Sequence, residues 1–251
     1  MLAGICAAFF VLPLVGLVVN APWPSALSIL ADPALLKALE LSLICSLAST
    51  GLALLLGVPL AWVLARTRFP GQALLRGIAV LPMVLPPVVG GVALLLAFGR
   101  RGLIGQPLAA AFGVGLPFTT PGVIMAEAFV AMPFLVITVE AGLRSMDERF
   151  EEAARTLGAG RWTVLRRVTL PLIGPSVAAG SVLAWSRALG EFGATITFAG
   201  NFPGTTQTAP LAIYIGLDSG HIEVAVMLSL LLVVVSLAVL AGLRDRYLTG
   251  P

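Results

Sequence analysis

The sequence predicts an all-α polytopic membrane protein with about six transmembrane helices. Three observations carry that prediction. Hydrophobic residues make up 59% of the chain and charged residues only 11%, against roughly 25% charged in ordinary soluble domains. The mean hydropathy of +1.04 is more apolar than a soluble surface can hide. The apolar residues also fall in continuous runs of about 20, the length that crosses ~30 Å of hydrocarbon as a helix. Barrel strands would instead alternate over about ten residues.

The runs lie near 3–20, 39–65, 77–98, 121–143, 173–199 and 222–243. The first is short and followed by Asn20-Ala21-Pro22, as a cleaved signal peptide would be. No basic residue precedes it, so a retained helix is expected. Cys6 and Cys45 sit in the first and second runs without metal-ligand spacing and read as small apolar membrane residues. Pro82, Pro86, Pro87, Gly90 and Gly91 break the third run. Irregular backbone at membrane depth is tolerated only where it is buried or lines a cavity, which makes this run a candidate pathway-lining element. Glu127 and Glu140 in the fourth run lie nearer its ends and read as interfacial or hydrogen-bonded structural groups.

The fifth run has two features. Gly180, Ala184 and Ala188, and likewise Ser186, Gly190 and Ala194, recur every four residues. Such stripes let helix backbones approach closely, and they predict that this span packs inside the bundle rather than against lipid. Arg187 and Glu191 stand four apart, within reach of each other, at a depth where charge is costly. Two readings are open: a neutralising pair that locks the fold, or an Arg187 that lends positive potential to an anion path while Glu191 orients it.

Arginine placement predicts the topology, because cytoplasmic loops carry the excess of Lys and Arg. Arg66, Arg68 and Arg76 follow the second run, six arginines from Arg144 to Arg167 follow the fourth, and Arg244 and Arg246 close the chain. The other side holds only Lys37, Arg100 and Arg101. Both termini and the polar segment 145–171 are therefore expected in the cytoplasm. The net charge of +3 reflects this bias and anionic lipid, not nucleic-acid binding.

Segment 145–171 reads as two short helices around a glycine hinge. Ser145 and Glu148 have capping-box spacing, and Glu148, Glu151 and Glu152 put negative charge in a first turn. Phe150, Ala153, Ala154 and Leu157 form one apolar face, with Glu151 and Arg155 paired four apart on the other. Gly158 and Gly160 stop the first helix. A second segment, 161–170, carries Trp162 and Leu165 and is expected to end at Pro171. An amphipathic loop resting on lipid headgroups would read the same way.

The residues Glu152-Ala153-Ala154, Gly158, Val168, Leu170 and Pro171 resemble the EAA loop of ABC-importer permeases, with Val168 where isoleucine is usual. The stretch Ser186 to Thr195, with Phe198 to Asn201 and Pro203 to Thr208, resembles the molybdate branch of that family; sulfate and tungstate permeases share much of Arg187 to Ala194. The resemblance covers residues 38–243 and implies a type I ABC-importer fold, with the chain as one permease domain, 1–251, carrying a coupling loop at 145–171. It implies that Glu152, Ala153, Ala154, Gly158, Leu170 and Pro171 engage an ATPase subunit. Arg187, Glu191, Gly193, Thr195, Asn201, Thr206, Gln207 and Thr208 are candidates for the translocation path. Neutral hydroxyl, amide and backbone N–H donors between 200 and 208 suit a tetrahedral oxyanion, although a plain polar turn has the same composition.

The implied partners are a second copy of the chain, two cytoplasmic ATP-binding subunits and an external molybdate-binding protein, in the cytoplasmic (inner) membrane. No phosphate-binding loop occurs, and the single lysine, Lys37, lies on the outer side. No cofactor is therefore expected on this chain; ATP and magnesium belong to the partner ATPase. With one histidine, no His-based metal cluster is expected, and nothing forms an acid–base or nucleophilic centre. A secondary transporter is the reading from another class, and no convincing inverted repeat supports it. Tungstate or sulfate is the alternative within the importer class.

Overall fold

The computed structural model describes residues 2–243, all of whose regular structure is helical. In chain order the α-helices are α1 (Leu2–Val19), α2 (Ala26–Leu30), α3 (Pro33–Arg66), α4 (Gln72–Val84), α5 (Pro87–Phe98), α6 (Gly105–Phe112), α7 (Thr120–Ser145), α8 (Arg149–Thr156), α9 (Arg161–Val164), α10 (Leu170–Leu189), α11 (Gly193–Ala199), α12 (Ala209–Asp218) and α13 (Ile222–Leu243). A 3-10 turn at Trp23–Ser25 precedes α2, and a π-helical turn at Leu165–Thr169 joins α9 to α10. Arg244 and Arg246, which entered the topology argument, lie outside the described residues.

Among the described residues, five helices are long and apolar enough to cross a membrane: Leu2–Val19, Pro33–Arg66, Thr120–Ser145, the continuous Arg161–Leu189, and Ile222–Val239 within α13. The third apolar run is instead two helices, α4 and α5, of 13 and 12 residues. At about 1.5 Å per residue neither alone spans ~30 Å of hydrocarbon. The break has a local cause. Leu85 and Pro86 each precede a proline, which excludes the helical region, and both are extended at ψ 138° and 132°.

The fifth run also differs from expectation. It starts as helix at Arg161 and stops at Leu189, followed by a break at Gly190 and the short α11. Gly180, Ala184 and Ala188 are buried as predicted. A Cβ on Gly180 would lie 3.3 Å from the Leu135 Cα, so α10 and α7 are nearly in backbone contact there. The second stripe does not form: Ser186 and Gly190 are exposed, because the helix ends before Gly190 and Ala194 belongs to α11. The span therefore buries one face and leaves the other open.

By internal contacts the chain forms two compact units, residues 44–200 and residues 1–43 with 201–251. In the first, α7 is the central helix, packed against α10, α11, α4 and α5. Thr119 caps its start by accepting from the Gly122 N–H at 3.2 Å, with Pro121 in the first turn. One core gathers Ala53, Ala61 and Leu64 of α3 with Leu135, Val139 and Leu143 of α7 and Ala184 and Ala188 of α10. A second joins Leu94, Ala126, Val130, Ala194 and Phe198.

In the second unit, Leu35, Ala209 and Leu228 form the core, with Leu39, Ile213 and Val224 packed around it. Ser42 Oγ accepts from the Ala209 N–H at 2.7 Å and so satisfies one open donor at the start of α12. α1 buries none of its residues within the chain.

Candidate functional site

The polar segment after α7 folds as two helices, and its first turn is built differently from expectation. α7 continues through Ser145, whose hydroxyl donates back to the Gly142 carbonyl at 3.0 Å, so no Ser145–Glu148 capping box forms. Asp147 instead forms a local turn leading into α8: its Oδ1 accepts from the Arg149 N–H at 3.0 Å. Glu148 reaches Arg66 instead. Glu151 and Glu152 lie in the first turn of α8, where the helix dipole favours them.

α8 ends as the glycine pattern predicts. The Gly158 N–H bonds the Arg155 carbonyl at 2.9 Å and the Ala159 N–H bonds that of Ala154 at 3.0 Å, with Gly158 at φ +85°. This is a Schellman stop, which requires a left-handed residue at position 158. The expected stop at Pro171 is absent. The π-helical turn just before it resets the bonding ladder, so Pro171 falls in the first turn of α10, where its missing N–H costs nothing.

The outward side of this knob is apolar. Phe150, Leu157 and Trp162 are 57%, 89% and 70% exposed, and Glu152, Ala153, Gly158, Leu170 and Pro171 are exposed with them, while Ala154 is half-buried. The inward side is polar and anchored. Glu151 is buried, and its Oε1 accepts from the Thr169 hydroxyl at 2.7 Å. Glu151 also pairs with Arg66 at 3.6 Å and Arg155 at 3.4 Å. A cavity of about 1080 Å³ lies beside these groups, lined by Val58, Trp62, Leu143, Trp162 and Ile173 among others.

Arg187 and Glu191 do meet, at 2.6 Å, but across a helix break and not along one helix. Glu191 is 1% exposed, and its second oxygen accepts from the Ala194 N–H at 2.7 Å, tying the end of α10 to the start of α11. Gly193 is a packing glycine: a Cβ there would lie 2.9 Å from the Pro87 Cβ of α5. Thr195 is fully buried, and its hydroxyl has no hydrogen-bond partner among the described residues.

In the other unit, residues 202–207 fold on one carbonyl. The N–H groups of Thr205, Thr206 and Gln207 all bond the Phe202 oxygen, at 3.1, 2.9 and 3.0 Å, and Thr206 Oγ1 accepts from the Phe202 N–H at 2.9 Å. These three backbone donors are consumed by the turn itself. Asn201 Oδ1 and the buried Thr208 hydroxyl have no partner among the described residues.

Sequence reasoning missed the long-range polar pairs. Arg66 was legible only as a topology marker, yet it holds Glu148 and Glu151, more than eighty positions away. Glu140 receives both Arg76 at 2.6 Å and Arg144 at 2.9 Å. Ser49 of α3 bonds Glu127 of α7 at 3.0 Å. No local spacing announces any of the pairs that cross between elements; only the i, i+4 relation of Glu140 and Arg144 is visible in the sequence.

Comparison with known proteins places this geometry. The chain is 49% identical over 245 residues to "Molybdenum transport system permease protein ModB" of Mycobacterium tuberculosis, covering 98% of this chain and 91% of that protein. It is 48% identical over 186 residues to the Escherichia coli protein of the same name, covering 74% and 81%. The E. coli "Sulfate transport system permease protein CysT" is 34% identical over 222 residues, covering 88% and 80%. Among solved structures, a bacterial ABC transporter involved in alginate import superposes with a TM-score of 0.75 at 22% identity, covering 99% of this chain and 94% of that one. The MetNI methionine ABC transporter gives 0.63 at 20% identity, covering 84% and 93%. Both establish the expected importer-permease fold. The family described as "Binding-protein-dependent transport system inner membrane component" matches residues 54–248. The chain belongs to this family of binding-protein-dependent transport system inner membrane components.

Proposed function

We propose that this chain is the membrane-spanning subunit of an ATP-driven molybdate importer, acting as a homodimer with two cytoplasmic ATP-binding subunits and an external molybdate-binding protein. The observation that carries the reading is the outward face of the 145–171 knob. A short helix with fixed ends presents Phe150, Ala153 and Leu157 as an exposed ridge beside Glu152. Exposed aromatic and aliphatic anchors of this kind suit a protein partner's groove. The molybdate assignment draws on 49% identity to a molybdenum transport permease, against 34% to the sulfate one.

In this reading Glu152, Ala153, Ala154 and Gly158 form the docking face, with Leu170 and Pro171 at its far edge. ATP and magnesium sit on the partner, and closure of the ATPase dimer draws the two knobs together and opens the bundles outward. The binding protein then releases its anion, and hydrolysis resets the inward-open state. Both termini lie in the cytoplasm.

For the anion, each unit contributes its own candidates. In residues 44–200, Arg187 supplies positive potential, held in place by Glu191, with the Thr195 hydroxyl free to donate and Gly193 keeping α11 against α5. In residues 201–208, Asn201 and the Thr208 hydroxyl are the groups with unspent hydrogen-bonding capacity, while Thr206 and Gln207 shape the turn that presents them.

The deciding experiment is ATP hydrolysis by this chain with its candidate ATPase in lipid, with binding protein preloaded with molybdate, tungstate or sulfate. Stimulation by the molybdate-loaded form is expected. Stimulation by another anion would reassign the cargo, and no association with an ATPase would overturn the importer reading.

A further inference from the structure

The two adjacent glutamates of α8 face opposite ways. Glu152 is exposed on the docking side, whereas Glu151 is buried with its side chain 10% exposed and three partners: Arg66, Arg155 and Thr169. Two of those partners belong to other elements. Arg66 is the last residue of α3, and Thr169 is the last residue of the π-helical turn that runs directly into α10. We propose that Glu151 is the positioning residue through which displacement of α8 reaches the membrane helices, by Arg66 to α3 and by Thr169 to α10.

The surroundings of α8 give the physical reason. A helix backed by close-packed side chains passes a push through that packing, because interiors are dense and incompressible. α8 instead stands beside a cavity of about 1080 Å³, and its chain connections are bends: the Met146–Glu148 joint before it and the left-handed Gly158 after it. A displacement would dissipate at such joints unless groups bridge the gap. Among the bridges, Arg66–Glu148 ends on a side chain 68% exposed, where water and salt weaken it. Arg66–Glu151 joins side chains 11% and 10% exposed, and Thr169 is 1% exposed, so both contacts work at low local dielectric. Among the described residues, Glu151 is the one acid that joins all three elements. The π turn carrying Thr169 is a rare form of helix that recurs at functional sites.

This inference rests on reading α8 as the ATPase-docking helix, and the test separates the two. The complete complex of permease, ATPase and binding protein is reconstituted in liposomes, and anions imported per ATP hydrolysed are measured with molybdate-loaded binding protein. Glu151→Gln keeps size and an acceptor for Thr169 while removing the charge. Its complex is expected to assemble and to keep basal ATP hydrolysis, with import per ATP lowered and partly restored in Glu151→Asp. Arg66→Gln and Thr169→Val each remove one bridge from its other end. They are expected to show the same uncoupling, and they decide the matter if Glu151→Gln does not accumulate. Unchanged import per ATP in these variants overturns the inference while leaving the docking reading intact. Loss of ATPase binding in Glu151→Gln also overturns it, by making Glu151 part of the docking face. Failure of the unaltered chain to bind any ATPase takes down both.

Discussion

Gly91 of α5 and Ala194 of α11 are in near backbone contact: a Cβ on residue 91 would lie 2.9 Å from the Ala194 carbonyl oxygen and 2.6 Å from the Thr197 Cβ. Neither neighbour is the end of a flexible side chain. The broken third run therefore has a tertiary use, since its second half, starting at Pro87, is free to lie along α11. Gly91→Val is expected to cost about 1–3 kcal/mol through overpacking. A thermal unfolding midpoint in lipid or detergent that matches the unaltered chain would contradict the close approach.

Gly158 has nothing within 4 Å of where a Cβ would stand, so its requirement is backbone alone, at φ +85°. A β-branched residue there strains the helix stop by about 1–3 kcal/mol, while asparagine tolerates the same region. Gly158→Val is expected to abolish molybdate uptake with the dimer still assembled, and Gly158→Asn to retain uptake. Size-exclusion of the purified complex alongside uptake checks both halves, and loss of assembly would point to a folding role.

Glu152→Lys reverses charge on an exposed residue that packs against nothing in the core. Uptake and ATPase co-purification are expected to be lost with thermal stability unchanged. A fully active variant would remove Glu152 from the docking face.

Glu140 of α7 holds Arg76 and Arg144, and both arginines also reach the Leu64 carbonyl at 3.2 Å. Glu140→Gln leaves two guanidinium groups facing each other without a carboxylate, at a cost of about 1–3 kcal/mol. Arg144→Gln is expected to cost less, ~1 kcal/mol or below, because that side chain is 52% exposed and its pair is screened. Denaturation of the two variants side by side tests the ranking, and equal losses would contradict it.

Removing Arg187 leaves Glu191 buried without its cation, which costs about 3–5 kcal/mol. Arg187→Met paired with Glu191→Gln should recover much of that stability. If Arg187 serves the anion, the double variant folds but does not import molybdate. Uptake at the unaltered rate would make the pair purely structural. A double-mutant cycle read in both stability and uptake separates the two roles.

The helical class, the long apolar spans and the exposed apolar ridge of the knob were legible because each depends on residues within a turn or two of one another. Phe150, Ala153 and Leu157 share a face by spacing alone, and Gly158 announces its left-handed stop. The errors cluster where a local rule met a competing contact. Ser145 has capping spacing but stays helical, and an Asp147 turn leads into α8 in its place. Pro171 reads as a stop, but the preceding π turn places it in a first turn. The polar stretch near 205 has the composition of a plain turn as well as of a donor set, and the Phe202 carbonyl takes the backbone N–H groups of Thr205, Thr206 and Gln207.

What the sequence determined by itself is therefore the solvent this protein lives in and the periodic faces of its helices, since hydropathy and short-range spacing act without the rest of the fold. The tertiary structure alone decided which polar groups meet across elements. Arg66 finds Glu151, Arg76 finds Glu140 and Ser49 finds Glu127 only after α3, α4, α7 and α8 are packed, because partners so far apart in sequence are selected by the need to satisfy buried polar groups and not by any local pattern.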